Sequence, residues 1–130
     1  VVEKKSAWNP EEKTVRGEEE IQWILDKKFI QGDVTMEDGS IGHWLTNYDP
    51  QGKVYRSWFF GNNTFPKGDS IGRWNSELET MEWAFEVDEN LYGQMKFQFM
   101  GNDKMEWVIT IHDDGGQLMM KNVGVQTRIR

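Results

Sequence analysis

Arginines set among aromatic residues are the polar groups with the most chemical promise in this chain. Arg56 lies between Tyr55 and Trp58, Arg73 is beside Trp74, and Arg128 falls in the last predicted strand. A guanidinium enclosed by apolar walls needs a carboxylate, supplied by the protein or by a ligand, because an unpaired buried charge is prohibitively costly. If Val54, Arg56, Trp58 and Phe60 face inward, Arg56 is such a group. If they face outward, it stacks on an indole or pairs with a surface carboxylate. The alternation alone leaves both orientations open.

The remaining reactive groups are thinly spread. The two histidines, His43 and His112, share no spacing that would put both on one strand face, so no metal site is expected. His112-Asp113-Asp114 could touch a divalent ion or a haem iron, but it has the composition of an ordinary turn. Asp26 or Asp33 could pair with a histidine as an acid/base couple, although no spacing rule connects them. Glu82, Glu86 and Glu106 alternate with aromatic residues and belong on a solvent face, and the run Glu18-Glu19-Glu20 reads the same way. Ser57 and Ser70 lack the Gly-x-Ser-x-Gly context of a nucleophile elbow. With no cysteine there is no thiolate nucleophile, disulfide or cysteine-bound metal. No catalytic residue and no cofactor are expected.

What must position these groups is a set of short strands. Met81, Trp83, Phe85 and Val87 alternate with polar or small residues, as do Met95, Phe97 and Phe99, and then Met105, Trp107, Ile109 and Ile111. Turn signals separate them at Asp88-Glu89-Asn90, Gly101-Asn102-Asp103 and Asp113-Asp114-Gly115-Gly116. Upstream the signals are Asn9-Pro10, Asp38-Gly39, Asp49-Pro50-Gln51-Gly52, the Gly61 to Gly68 segment and Asn75-Ser76, giving about ten antiparallel strands in all. Ile21 to Leu25 fits either helical or strand spacing, and its context favours a strand. Ser40-Ile41-Gly42-His43-Trp44 is echoed by Ser70-Ile71-Gly72-Arg73-Trp74, which predicts strands entering a curved sheet where a glycine lets the backbone bend or a neighbouring indole lie flat over it.

Seven tryptophans, at 8, 23, 44, 58, 74, 83 and 107, supply roughly one indole per segment. Such a distribution lines either an aromatic core or an aromatic-walled pocket. Seven methionines add deformable apolar surface, mostly as gap-fillers. The 130 residues fit one domain, and the edges of so many strands are most economically removed by closure into an up-and-down barrel, with a sandwich as the runner-up. A barrel of about eight to ten strands is just wide enough to be filled by side chains or to hold one small ligand. The net charge of −7 argues against nucleic-acid binding, and no apolar stretch approaches the ~20 residues of a membrane helix. Asn62-Asn63-Thr64 matches a glycosylation sequon, a pattern common by chance.

Several blocks resemble a known bacterial family, the domain of unknown function numbered 1579, a lipocalin-like member of the calycin group. They are Trp23-Ile24-Leu25-Asp26 leading into Phe29-Ile30-Gln31-Gly32, then Tyr48-Asp49-Pro50 with Val54-Tyr55-Arg56-Ser57-Trp58-Phe59-Phe60, Gly72-Arg73-Trp74, and Glu106-Trp107. The resemblance spans most of the chain and implies a single antiparallel β-barrel over residues 1–130, with a ligand in its interior. The family's early Gly-x-Trp strand is missing before Trp8, and the chain opens at Val1 without a methionine, which together imply a trimmed N-terminus. The resulting expectation is a small apolar or anionic amphipathic ligand, with Trp58, Trp83, Phe97 and Trp107 as wall and Arg56 or Arg128 holding an anionic head. The competing expectation is a filled barrel that acts as a structural or interaction module, dimeric through an exposed aromatic strand. An enzyme on the same scaffold would need a histidine or carboxylate inside the void.

Overall fold

The computed structural model describes residues 2–6, 14–62 and 68–129, the first of these segments by its backbone alone. Trp8, Asn9-Pro10 and most of the sequon lie outside the described residues. The strands are β1 (Val2–Ser6), β2 (Thr14–Ile24), β3 (Phe29–Met36), β4 (Ile41–Asp49) and β5 (Val54–Gly61). They continue as β6 (Asp69–Asn75), β7 (Thr80–Asp88), β8 (Leu91–Met100), β9 (Lys104–Asp113) and β10 (Leu118–Thr127). There is no helix among the described residues, and so none long and apolar enough to cross a membrane.

Each strand pairs antiparallel with the next in sequence, giving an up-and-down sheet that curls into a barrel-like wall. The backbone of β1 is hydrogen-bonded to β2 on one side and to β10 on the other. Polar residues at the strand ends force the chain to reverse by satisfying backbone amides that the ladder leaves free. Asp49 Oδ1 accepts from Gln51 and Gly52, Asn75 Oδ1 from Glu77 and Leu78, and Asp113 Oδ1 from Gly115 and Gln117. The ambiguous Ile21–Leu25 segment is strand as far as Ile24. It then turns through Leu25, Asp26 and Lys27, whose φ values of 52, 57 and 61° put three non-glycine residues in succession in the left-handed region.

Contacts that reach over intervening strands identify the concave face, because only there do side chains converge. Trp107 of β9 packs against the buried pair Val15 and Met36 on β2 and β3. Gln126 of β10 reaches Glu19 of β2 across β1. The same face carries Trp44, Tyr55, Phe59, Gly72, Trp83 and Phe97, as the cross-strand register requires. Two of its glycines are sites of close approach. An added Cβ at Gly32 would collide with the indole of Trp44, and at Gly72 it would lie 2.6 Å from the Trp83 ring. Of the two echoed Gly-x-Trp strands, only the second places its glycine, Gly72, beneath an indole; in the first, Gly42 lies beneath the phenyl ring of Phe59.

The concave face is not sealed. Among the described residues only Val15, Met36, Val54 and Ile111 are buried hydrophobics, and no large side chain is fully enclosed. At the end formed by the β2–β3, β4–β5, β6–β7 and β8–β9 turns, Trp23, Tyr48, Trp74 and Phe99 form an exposed rim, with Trp74 and Phe99 5.8 Å apart and Leu25 and Leu78 at the turn tips. At the opposite end the described turns are acidic. Its described turns carry Glu37, Asp38, Glu89 and Asp114, and no lysine or arginine.

Candidate functional site

The alternation of β7, β8 and β9 carries Trp83, Phe97 and Trp107 onto the concave face, where they form one half-buried aromatic wall. Phe97 is directly opposite Trp107 and Met81, and Trp83 is opposite Met95, so the wall mixes rigid rings with adaptable thioethers. Trp107 extends it toward β2 and β3 through its packing on Val15 and Met36.

Arg56 and Trp58 do not join this wall. Tyr55, Ser57 and Phe59 take the concave positions of β5, which turns Arg56 and Trp58 to the convex side. There Arg56 spans two carboxylates, with Nη1 donating to Asp69 Oδ2 at 2.8 Å and Nε to Asp49 Oδ2 at 3.3 Å. These bonds raise the guanidinium's affinity for its proton, Asp69 contributing most. Asp49 is held below the ordinary carboxylate value, chiefly by the backbone N–H of Gly52. Of the two orientations that alternation left open for Arg56, the structure has the outward one with carboxylate partners. Arg128 lies beyond β10, exposed, with its Nε 4.0 Å from Asp103 Oδ1.

The convex face also assembles a pair that sequence spacing could not connect. Asp33 on β3 and His43 on β4 are cross-strand neighbours, and His43 Nδ1 lies 2.7 Å from Asp33 Oδ1. This hydrogen bond depresses the Asp33 pKa, with a smaller contribution from Gln31. Histidine and carboxylate in this geometry can share a proton, and both are exposed on the convex face. Grooves of about 290 and 500 Å³ lie elsewhere: one is lined by Ile71, Arg73, Glu82 and Lys96 together with Trp83 and Met95, the other by Gln98, Glu106, Val108 and Val125 together with Trp107. Both are open to solvent and flanked by charged side chains. No cluster of three or more potential metal-ligating side chains exists among the described residues.

One concave-face residue was read from sequence as part of a solvated acidic run. Glu18 and Glu20 are indeed exposed, but Glu19 between them points to the concave side. Its Oε1 accepts a 2.6 Å hydrogen bond from the indole Nε1 of Trp44, and its Oε2 accepts from Nε2 of Gln126. The signal was present in the order Val15, Gly17, Glu19, Ile21, Trp23, which carries the glutamate on the apolar parity of β2. The chain, compared with known proteins, matches no family model and no curated sequence.

Proposed function

We propose that the sheet closes as a calycin-type barrel, in keeping with its resemblance to domain family 1579, and that its concave face holds a small apolar or amphipathic molecule. Trp83, Phe97 and Trp107 form the wall of that site. The observation that carries this reading is the incomplete enclosure of the concave face. A barrel filled for purely structural reasons would bury its large rings completely, since protein interiors pack as densely as organic crystals. Here Trp83, Phe97 and Trp107 are presented on one curved surface and stay only partly buried, with no large described side chain fully enclosed. Apolar area left open to water on a concave surface is the usual raw material of a ligand site.

Closure itself is supported by the double pairing of the β1 backbone, with β2 and with β10. Native mass spectrometry of the protein purified from its own host provides the test. A retained mass of small-molecule size, lost in the Trp107→Ala and Phe97→Ala variants, is the expected result. A ligand-free protein that also fails to bind apolar fluorescent probes would refute the reading and favour a structural or interaction module.

A further inference from the structure

The concave face offers a potential ligand a carboxylate rather than a guanidinium. Among residues with described side chains, Glu19 is the only charged group in concave register between the two rims. It lies four residues along β2 from the rim residue Trp23, about 13 Å into the interior at the rise of an extended strand. Its cross-strand partner Val34 packs on the same Val15–Met36 cluster as Trp107, which puts the carboxylate beside the aromatic wall.

Trp44 and Gln126 satisfy one lone pair on each oxygen of Glu19, and both partners are neutral. A carboxylate offers about four acceptor positions, so two remain. The hydrogen bonds fix the group's orientation without cancelling its charge, and a negative charge against apolar surface gains most from a cation. The surrounding rings favour the same sign, because the face of an indole or phenyl ring attracts an ammonium group. An anionic head would instead meet like charge here, with Arg56 on the convex face and Arg128 beyond the end of β10.

Resting on the ligand-binding reading above, we infer that the site selects cationic amphipaths: a primary ammonium head on Glu19, with its alkyl or aryl tail along Trp107 and Phe97. This reverses the charge expected from sequence for the head group.

The test compares dodecylamine, dodecanoate and dodecanol at concentrations below micelle formation, using tryptophan fluorescence and native mass spectrometry. Dodecylamine is expected to bind at least about tenfold more tightly than dodecanoate, the difference one charge-assisted hydrogen bond supplies. Glu19→Gln should remove that preference, bringing dodecylamine and dodecanoate to similar affinities. Should the variant fold poorly, the wild-type protein still decides. Dodecylamine, but not dodecanol, should shift the Trp44 indole N–H resonance, because an arriving ammonium perturbs the carboxylate to which that N–H donates. Equal or tighter binding of dodecanoate, or an amine affinity indifferent to Glu19→Gln, overturns the head-group assignment and leaves the apolar site standing. Failure of all three probes to bind overturns the apolar site as well.

Discussion

Trp44 lies flat over Gly32, its cross-strand partner on β3, so closely that the glycine has no room for a methyl group. The same indole donates its N–H to Glu19, so this close approach bears on both the curvature of the wall and the position of that carboxylate. Gly32→Ala is therefore expected to destabilise the protein by about 1–3 kcal/mol, the usual cost of overpacking. Alanine would ordinarily be favoured over glycine within a strand, by about 0.5–1 kcal/mol. Urea unfolding reads the sign. In a Trp44→Leu background the penalty should shrink, and an unchanged penalty would place its cause elsewhere.

Thr80 is buried at 6% exposure, and its hydroxyl has no hydrogen-bond partner. Valine keeps the branched shape and removes the stranded polar atom. Thr80→Val should stabilise the fold by about 1 kcal/mol, measured as a higher urea midpoint at unchanged slope.

The β2–β3 turn holds Leu25, Asp26 and Lys27 in a conformation that side chains with a β-carbon adopt only at a cost. Leu25 is 67% exposed, so little packing offsets this strain. Leu25→Asn, which tolerates the left-handed region better, is expected to raise stability by about 0.5–1 kcal/mol. Thermal unfolding at matched pH would show it.

His43 lowers the Asp33 pKa by donating a hydrogen bond to its charged form. A depressed folded-state pKa means that Asp33 stabilises the fold at pH values above its unfolded pKa. That contribution fades as pH falls below the ordinary value of 3.8 toward the lower folded one. Carbon-detected NMR titration of Asp33 should give a midpoint below 3.8, rising in His43→Ala. An unmoved midpoint would mean that the pair does not persist in solution.

Arg56→Ala removes two convex-face ion pairs, and the proposed concave-face site should not notice. Its effect is expected to be a small, salt-sensitive loss of stability, with amphipath affinity unchanged. A large drop in affinity would instead bring Arg56 into the binding site.

The strands were legible wherever one parity was apolar and the other was not. Met81 to Val87 and Met105 to Ile111 announce their faces directly, and Asp49, Asn75 and Asp113 mark turns by the amides they cap. β5 was not legible, because both of its parities are aromatic: Trp58 and Phe60 on one side, Tyr55 and Phe59 on the other. Only the register with β4 and β6 decides which side Arg56 takes. The echoed segments share the use of glycine but not of tryptophan, since Trp44 covers Gly32 while Trp74 stands at the rim against Phe99. Asp33 and His43 are ten residues apart in sequence and meet only through the β3–β4 pairing, which composition cannot supply.

The uneven charge of the two ends gives the molecule a practical handle. Among the described turns, the carboxylates of Glu37, Asp38, Glu89 and Asp114 are gathered at the end opposite the Trp23 and Trp74 rim, whose turns mix Lys27, Lys28 and Lys53 with Asp26, Glu77, Glu79 and Asp103. The described base turns are therefore the more negative of the two sets. On a cationic support the protein would be drawn down base-first, leaving the aromatic mouth upright, free of the surface and open to whatever flows past.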